Sequence, residues 1–340
     1  MKKYTPIAAG IFLAIAASGT LAQTIIVNQA GMGNAVAPTV DATVTNSAIV
    51  VTQNGDVNVS VPQQTGLTSF GLIGHTQTGD ANIANSVQNT VFLSSALVTQ
   101  VGDMNLAGTS QTAAIGSSAS IAQNGTLQSA QINQFVVLGN SATVNQEMVA
   151  GPNFAEVNQS FGVGNSTVVS QKSGGSGLNS ATTTQIGGFF NSIDVYQQGR
   201  GQLATVSQIG GSGNTSNSFQ KIGPNTLSVA QSGNGNTSDI EQYWEFNLAV
   251  VNQSGNNNES FIEQLTKSNV AQVAQSGNTN SSTVSQFGGD ANMTFITQNT
   301  DNATMEAIQN GNMNVINVTQ NFASNISVTQ NGDGHMFMFP

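Results

Sequence analysis

Residues 229–242 read VAQSGNGNTSDIEQ, residues 251–264 read VNQSGNNNESFIEQ, and residues 273–286 read VAQSGNTNSSTVSQ. In each, a Gln is followed by Gly two positions on, Asn five positions on and a second Gln eleven positions on. An enzyme needs its catalytic residues once. A literal repeat calls for a physical unit that recurs, as in solenoids and stacked arrays.

The pattern extends well beyond these three copies. Marking one Gln per unit gives 25 positions from Gln53 to Gln330, and 20 of the 24 intervals are 11 or 12 residues long. Two residues before the Gln, 18 of the 25 positions hold Val or Ile, among them Val98, Ile121, Val144, Val229, Ile240 and Val318. Apolar-x-Gln is a period-two pattern, which describes a strand with one buried face. The β-branched residues favour strand, and a Gly in most units opposes helix.

The residues after each Gln form a turn. Gly stands two positions on in 14 units, including Gly233, Gly255 and Gly277, and Asn five positions on in 11 units, including Asn236, Asn258 and Asn280. Both tolerate the positive φ of a sharp reversal. In five units the Asn comes one position later (Asn140, Asn165, Asn191, Asn214, Asn292), and each lies in a 12-residue interval. The extra residue therefore belongs to the turn, where insertions are tolerated.

A strand of about six residues plus a turn of about five predicts an all-β fold. The architecture expected is a two-sheet parallel β-solenoid of stacked β-arches with amyloid-like, cross-β spacing. Two units make a rung of 22–23 residues, giving about twelve rungs. Alternate strands stack into two sheets that face each other about 10 Å apart.

The Gln then faces inward beside the Val or Ile. A buried amide without partners costs about 1–3 kcal/mol, but stacked amides satisfy each other from rung to rung. The ladder residues expected on this basis are Gln53, Gln77, Gln100, Gln123, Gln146, Gln208, Gln231, Gln242, Gln253, Gln264, Gln275, Gln286, Gln309 and Gln320. The turn residues Asn236, Asn258 and Asn280 are expected to form a second ladder at the rim.

Composition narrows the function. Residues 1–22 carry Lys2 and Lys3, then an apolar run from Ile7 to Ala17 and a small-residue site at Thr20–Ala22. This is the pattern of a cleaved secretory signal. Without those two lysines, four cations face sixteen carboxylates, a net charge of −12. Nucleic acid, whose binding rests on neutralised phosphates, is an unsuitable partner. Cysteine is absent, which excludes disulfides and thiol chemistry. No later apolar run is long enough for a membrane-spanning helix.

The unit Ser/Asn-x5-Gln-x-Gly-x-x-Asn-x5-Gln resembles the curlin repeat of curli, the secreted functional amyloid of Gram-negative bacteria. Asn225–Gln242, Asn247–Gln264 and Ser94–Gln111 fit it, and the resemblance covers residues 45–335. It implies a cell-surface fibre subunit that serves biofilm matrix and surface adhesion. The partners it implies are further copies of the chain, other curlin subunits, and outer-membrane secretion and assembly machinery. The chain departs from the family in having about twelve rungs rather than five repeats. It also lacks an obvious Gly/Asn-rich export segment after Gln23.

The expected organisation is a signal peptide (1–22), an irregular first rung (23–52), the repeat solenoid (53–330) and an apolar tail or cap (331–340) ending HMFMFP. No catalytic constellation, cofactor site or metal site is expected. His75 and His335 lie far apart, with His75 at an inward position. Asp56, Asp80 and Asp103 recur one rung apart and are read as turn residues or as a calcium edge. The aromatic run YWEF (243–246) falls in a turn, as local packing or an adhesive loop. The functional expectation is a structural fibre subunit. The alternatives are a nucleating or accessory curlin, and a capped monomeric solenoid that binds a surface or glycan.

Overall fold

A computed structural model describes residues 23–148, 152–173 and 177–340; the expected signal segment lies outside these. The described residues contain twenty-nine strands, β1 to β29 in chain order. Fourteen form one sheet and fifteen the other, every pairing being parallel and, from β3 on, between alternate strands, while β1 pairs with β4 and β2 with β5. The chain is a β-solenoid of two facing sheets. The first sheet runs from β1 (Thr24–Ala30) and β4 (Ala48–Asn54) to β28 (Asn325–Asn331). The second runs from β2 (Ala35–Val36) and β5 (Val59–Thr65) to β29 (Met336–Phe339). Thirteen steps between the fourteen strands of the first sheet give a rod of roughly 60 Å at ~4.8 Å per step.

The rod is slightly longer than the twelve rungs expected, because each end adds strands that depart from the repeat. β3 (Thr39–Val40) places Val40 in the column of Gln64, and β29 runs out at Phe339 before that column is reached. Rung length also varies more than the expected 22–23 residues. It reaches 25 and 26 between Gln146, Gln171 and Gln197.

Within a strand, burial alternates residue by residue: Ile49, Val51 and Gln53 point inward and are buried, while Val50 and Thr52 are partly open. Burying each Val or Ile contributes about 1.5–3 kcal/mol. The first inward position is often Ala, as at Ala96, Ala107, Ala119, Ala142, Ala204 and Ala249. Its small size has a steric reason. The Gln at the end of a facing strand reaches the carbonyl just before that Ala, as Gln123 does at Leu106, beside Ala107.

Two arcs join the sheets. The return arc, out of the second sheet, contains glycines such as Gly255, at φ +103° with its α-carbon facing the carbonyl of Gly277 one rung on. A Cβ there would overlap that carbonyl, so Gly is required by both φ and space. Gly255 itself belongs to the return arc of its rung, and Gly233, Gly255 and Gly277 form a continuous column along it.

The return arc changes along the rod. From Thr45 to Ser212 it carries a third column of parallel bridges, Thr45–Ser69–Phe92–Ile115–Leu138–Val163–Phe189–Ser212. Val91, Ala114 and Val137 form a small apolar cluster beneath it. This is where the extra residue goes in the 12-residue intervals up to Gln220, and it lengthens the arc enough to pair with its neighbours; the later one, from Gln286 to Gln298, lengthens the other arc. After Gln231 the arc shortens to SGNGN and SGNNN, and the bridges stop at Ser212.

Candidate functional site: amide ladders and open ends

The repeating Gln residues form two uninterrupted columns of amides. In the first sheet Nε2 of each Gln donates to Oε1 of the next: Gln29 to Gln53 (2.7 Å), Gln53 to Gln77 (2.8 Å), Gln77 to Gln100 (2.9 Å), Gln100 to Gln123 (3.0 Å) and Gln123 to Gln146 (2.9 Å). The same column passes through Gln220, Gln242, Gln264, Gln286 and Gln309 to Gln330. In the second sheet it runs from Gln64 through Gln88, Gln208, Gln231, Gln253, Gln275 and Gln298 to Gln320.

The second hydrogen of each amide fixes its orientation. Gln253 donates to the Thr237 carbonyl at 2.8 Å, and Gln264 to the Leu248 carbonyl at 3.1 Å, each on the facing strand. A carbonyl only accepts, so Nε2 must face it and Oε1 must face the preceding rung. Each interior Gln is thereby saturated, which is what makes a buried polar column compatible with a stable core.

The Asn residues make the expected second ladder in part: Asn258 Nδ2 donates to Asn236 Oδ1 at 3.1 Å, and Asn82 Nδ2 to Asn58 Oδ1 at 3.1 Å. Asn236, Asn258 and Asn280 are buried at the strand entrances and bond mainly to backbone. Asn258 accepts at Oδ1 from the Asn280 amide (3.1 Å), and its Nδ2 donates to the Gly277 carbonyl (2.9 Å). The arc peptides have left the sheets, and the Asn side chain supplies the partners their backbone lacks.

A third kind of column is made by turn residues, of which the sequence reading singles out only Asp56, Asp80 and Asp103. Three residues after the Gln, Asn or Asp accepts at Oδ1 from the amide of the rung before: Asn234 to Asn256 (3.2 Å), Asn256 to Asn278 (3.1 Å), Asn278 to Asp301 (2.7 Å). Recurrence of Asn or Asp at that spacing was the available signal. Asp56, Asp80 and Asp103 belong to the same motif. The amide of Asp56 donates to Asp80 (2.7 Å) and that of Asp80 to Asp103 (2.8 Å). Their repetition has a backbone explanation, and among the described residues no three or more His, Asp or Glu side chains gather as a metal site.

His75 stands in a Val column, between Val51 and Val98. Its ring contacts Ser60 Oγ and Ser86 Oγ, each at 2.7 Å, and Thr109 donates to Ser86 at 2.7 Å. Burial lowers its pKa to about 4. His335 is at the other end, filling an Asn slot with its amide on Asn314 Oδ1 (2.9 Å). Trp244 and Phe246 of the YWEF run are exposed, and Lys267 lies 5.7 Å over the Trp244 ring. On the outer face of the first sheet, burial raises the pKa of Asp194 and Asp239. Tyr196 and Phe219 stack there at 5.2 Å.

The rod ends are cut through the core. At the first rung Ile25, Val27, Val36 and Val40 are only partly covered; at the last, so are Ile326, Phe337 and Phe339. The tail does not fold across the end as a cap. It continues the second sheet, with Met336 to Phe339 in register with Val315 to Val318. Phe337 and Phe339 point inward and Met336 and Met338 outward. The outermost strands, β1 and β28 among them, have a neighbour on one side only.

No helix among the described residues is long and apolar enough to cross a membrane. No family model matches the chain, and no curated protein matches it. The β-solenoid fold is compatible with a structural or adhesive subunit.

Proposed function

We propose that the chain is a non-enzymatic structural subunit of an extracellular, curli-like amyloid fibre that serves surface adhesion and biofilm matrix, growing by end-to-end addition of identical copies. The observation that carries this reading is the match between the two ends. β1 reads TIIVNQA and β28 reads NISVTQN. Set one rung apart, Ile326 meets Ile25, Val328 meets Val27, and Gln330 Nε2 meets Gln29 Oε1. In the second sheet Phe337 falls over Val36. The contact joins unlike surfaces, so it does not close on itself and generates a filament. It also covers unpaired strand edges that are otherwise an aggregation hazard.

The test is a time course of electron micrographs on residues 23–340 diluted from denaturant, beside the variant Ile326→Asp. Unbranched filaments from the unsubstituted chain, lost in the variant although its β-sheet signal persists, support the reading. A stable β-rich monomer that forms no filaments refutes it and leaves a surface-binding solenoid or a nucleator that acts on another subunit.

A further inference from the structure

Over the rungs up to residue 214, the two long edges of the rod differ in charge. Along the return arc, residues 65–71, 89–94, 112–117, 135–140, 160–165, 186–191 and 209–214 contain no charged residue. Over the same rungs the opposite edge carries Asp56, Asp80, Asp103 and Arg200. The uncharged edge presents the bridge column Phe92–Ile115–Leu138–Val163–Phe189 as a straight apolar ridge, with Phe92, Ile115, Leu138 and Phe189 exposed.

The fold does not require the apolar side chains that flank this column. Phe161 and Phe190, 59% and 72% exposed, hold φ of +55°, where Gly or Asn is cheaper. Gly occupies the corresponding slots of neighbouring rungs, at Gly187 and Gly164. Exposed apolar residues at positive φ also stand on the charged edge, at Val57, Met104 and Leu127, so the lack of charge is what sets the ridge apart.

We infer that this ridge is a lateral zipper through which the rod pairs with the same ridge of a second copy, in a neighbouring filament. The inference rests on the fibre reading above. The ridge from Phe92 to Phe189 takes four bridge steps, about 19 Å at ~4.8 Å per step, and an edge ~10 Å wide makes a footprint of roughly 190 Å². That is smaller than the largest apolar patch on a typical monomer (~300–600 Å²). Two such footprints fall short of the ~1,200 Å² of a stable pair. Single rods therefore pair weakly, and filaments that repeat the ridge pair strongly. The ridge repeats at the rung spacing, and another rod of this period offers holes at matching intervals, as in dry interdigitated interfaces.

The chain has no cysteine, so one introduced thiol reports the contact. Leu138 is the centre of the five apolar bridge residues, and a twofold pairing of ridges brings it against its own copy. Filaments of Leu138→Cys, mildly oxidised, are expected to give several-fold more disulfide dimer than filaments of Met104→Cys on the charged edge. The combined variant Val136→Asn, Phe161→Asn and Phe190→Asn is expected to keep the unfolding midpoint of the soluble rod and yield unpaired filaments. Equal cross-linking at the two edges, or combined-variant filaments as wide as the parent's, overturns the inference. So does a Leu138→Cys thiol that stays uncross-linked and is shielded from labelling only by phosphatidylglycerol vesicles, which identifies a membrane instead. Absence of parent filaments refutes the fibre reading separately. Cross-linking of concentrated soluble rods then decides the ridge: preferential Leu138→Cys dimer supports it, and equal yields overturn it.

Discussion

Replacing Gln253 by Leu tests whether the amide columns hold the rod together. Gln253 accepts from Gln231 at 2.8 Å and donates to Gln275 at 2.9 Å, to the Thr237 carbonyl at 2.8 Å and to the Asn258 carbonyl at 3.1 Å. Leu is of similar size, so the cavity contribution is small. Gln231 keeps its donations to the Thr215 and Asn236 carbonyls. Gln275 Oε1, which accepts from Gln253 in the column, is left buried and unpartnered, at about 1–3 kcal/mol. Net loss of the remaining bonds adds about 1 kcal/mol. The expected destabilisation is roughly 3 kcal/mol, partly offset by the greater hydrophobicity of Leu. In a rod whose rungs contact only their neighbours, the damage is local. The assay is urea unfolding of dilute soluble rod followed by far-UV circular dichroism, with native-state hydrogen exchange to locate the loss. Asn252→Thr, on the exposed outer face, is the control, expected within about 0.5 kcal/mol. If Gln253→Leu unfolds at the same midpoint as Asn252→Thr, the columns do not stabilise the rod and the reasoning fails.

Three further outcomes are expected. His75 is buried neutral with its pKa lowered from 6.5 to about 4, so the unfolded chain binds a proton that the folded chain refuses. Stability is intact above pH 6.5 and falls by about 3 kcal/mol as pH drops to 4. His75→Val, measured by urea unfolding at both pH values, should lack that part of the loss; an unchanged pH dependence refutes it. Gly255→Ala should cost more than about 2 kcal/mol, through φ strain and overlap with the Gly277 carbonyl. Gly213→Ala, at φ +67° with open space around it, should cost only about 1–2 kcal/mol, and equal thermal shifts would contradict this. Asp80→Asn keeps the acceptor for the Asp56 amide and removes a like charge from the column, so its melting temperature should hold or rise. Calcium or a chelator should shift neither form, whereas a calcium-dependent melting temperature would show an ion bridging that edge.

Much of the fold was legible because the repeat is literal where the physics is strict. Val or Ile, then Gln two positions on, marks the buried face, since each column needs the same residue at the same height in successive rungs. The ends were hard to read because an end rung stacks on one side only. Val40 and Phe337 therefore break the pattern without disturbing it. The role of Asn was half legible. Its spacing marked the turn, but its bonding to the backbone of the next rung depends on where the arc carbonyls point, which spacing does not encode. The bridge column of the return arc was present in the sequence as one extra residue per interval. A single inserted residue reads equally well as slack in a loop, and only the stacking of several arcs shows that it pairs.

The one-way donation of the glutamines has an electrical consequence. In both columns Nε2 faces the C-terminal rung and Oε1 the N-terminal rung, so the amide dipoles add as peptide dipoles do in a helix. The partial positive charge gathers at the Gln330 end and the partial negative charge at the Gln29 end. A column of rods stacked head to tail is therefore one long dipole. Rods should align in an applied electric field, and a tail-to-tail encounter is repelled before any side chain touches.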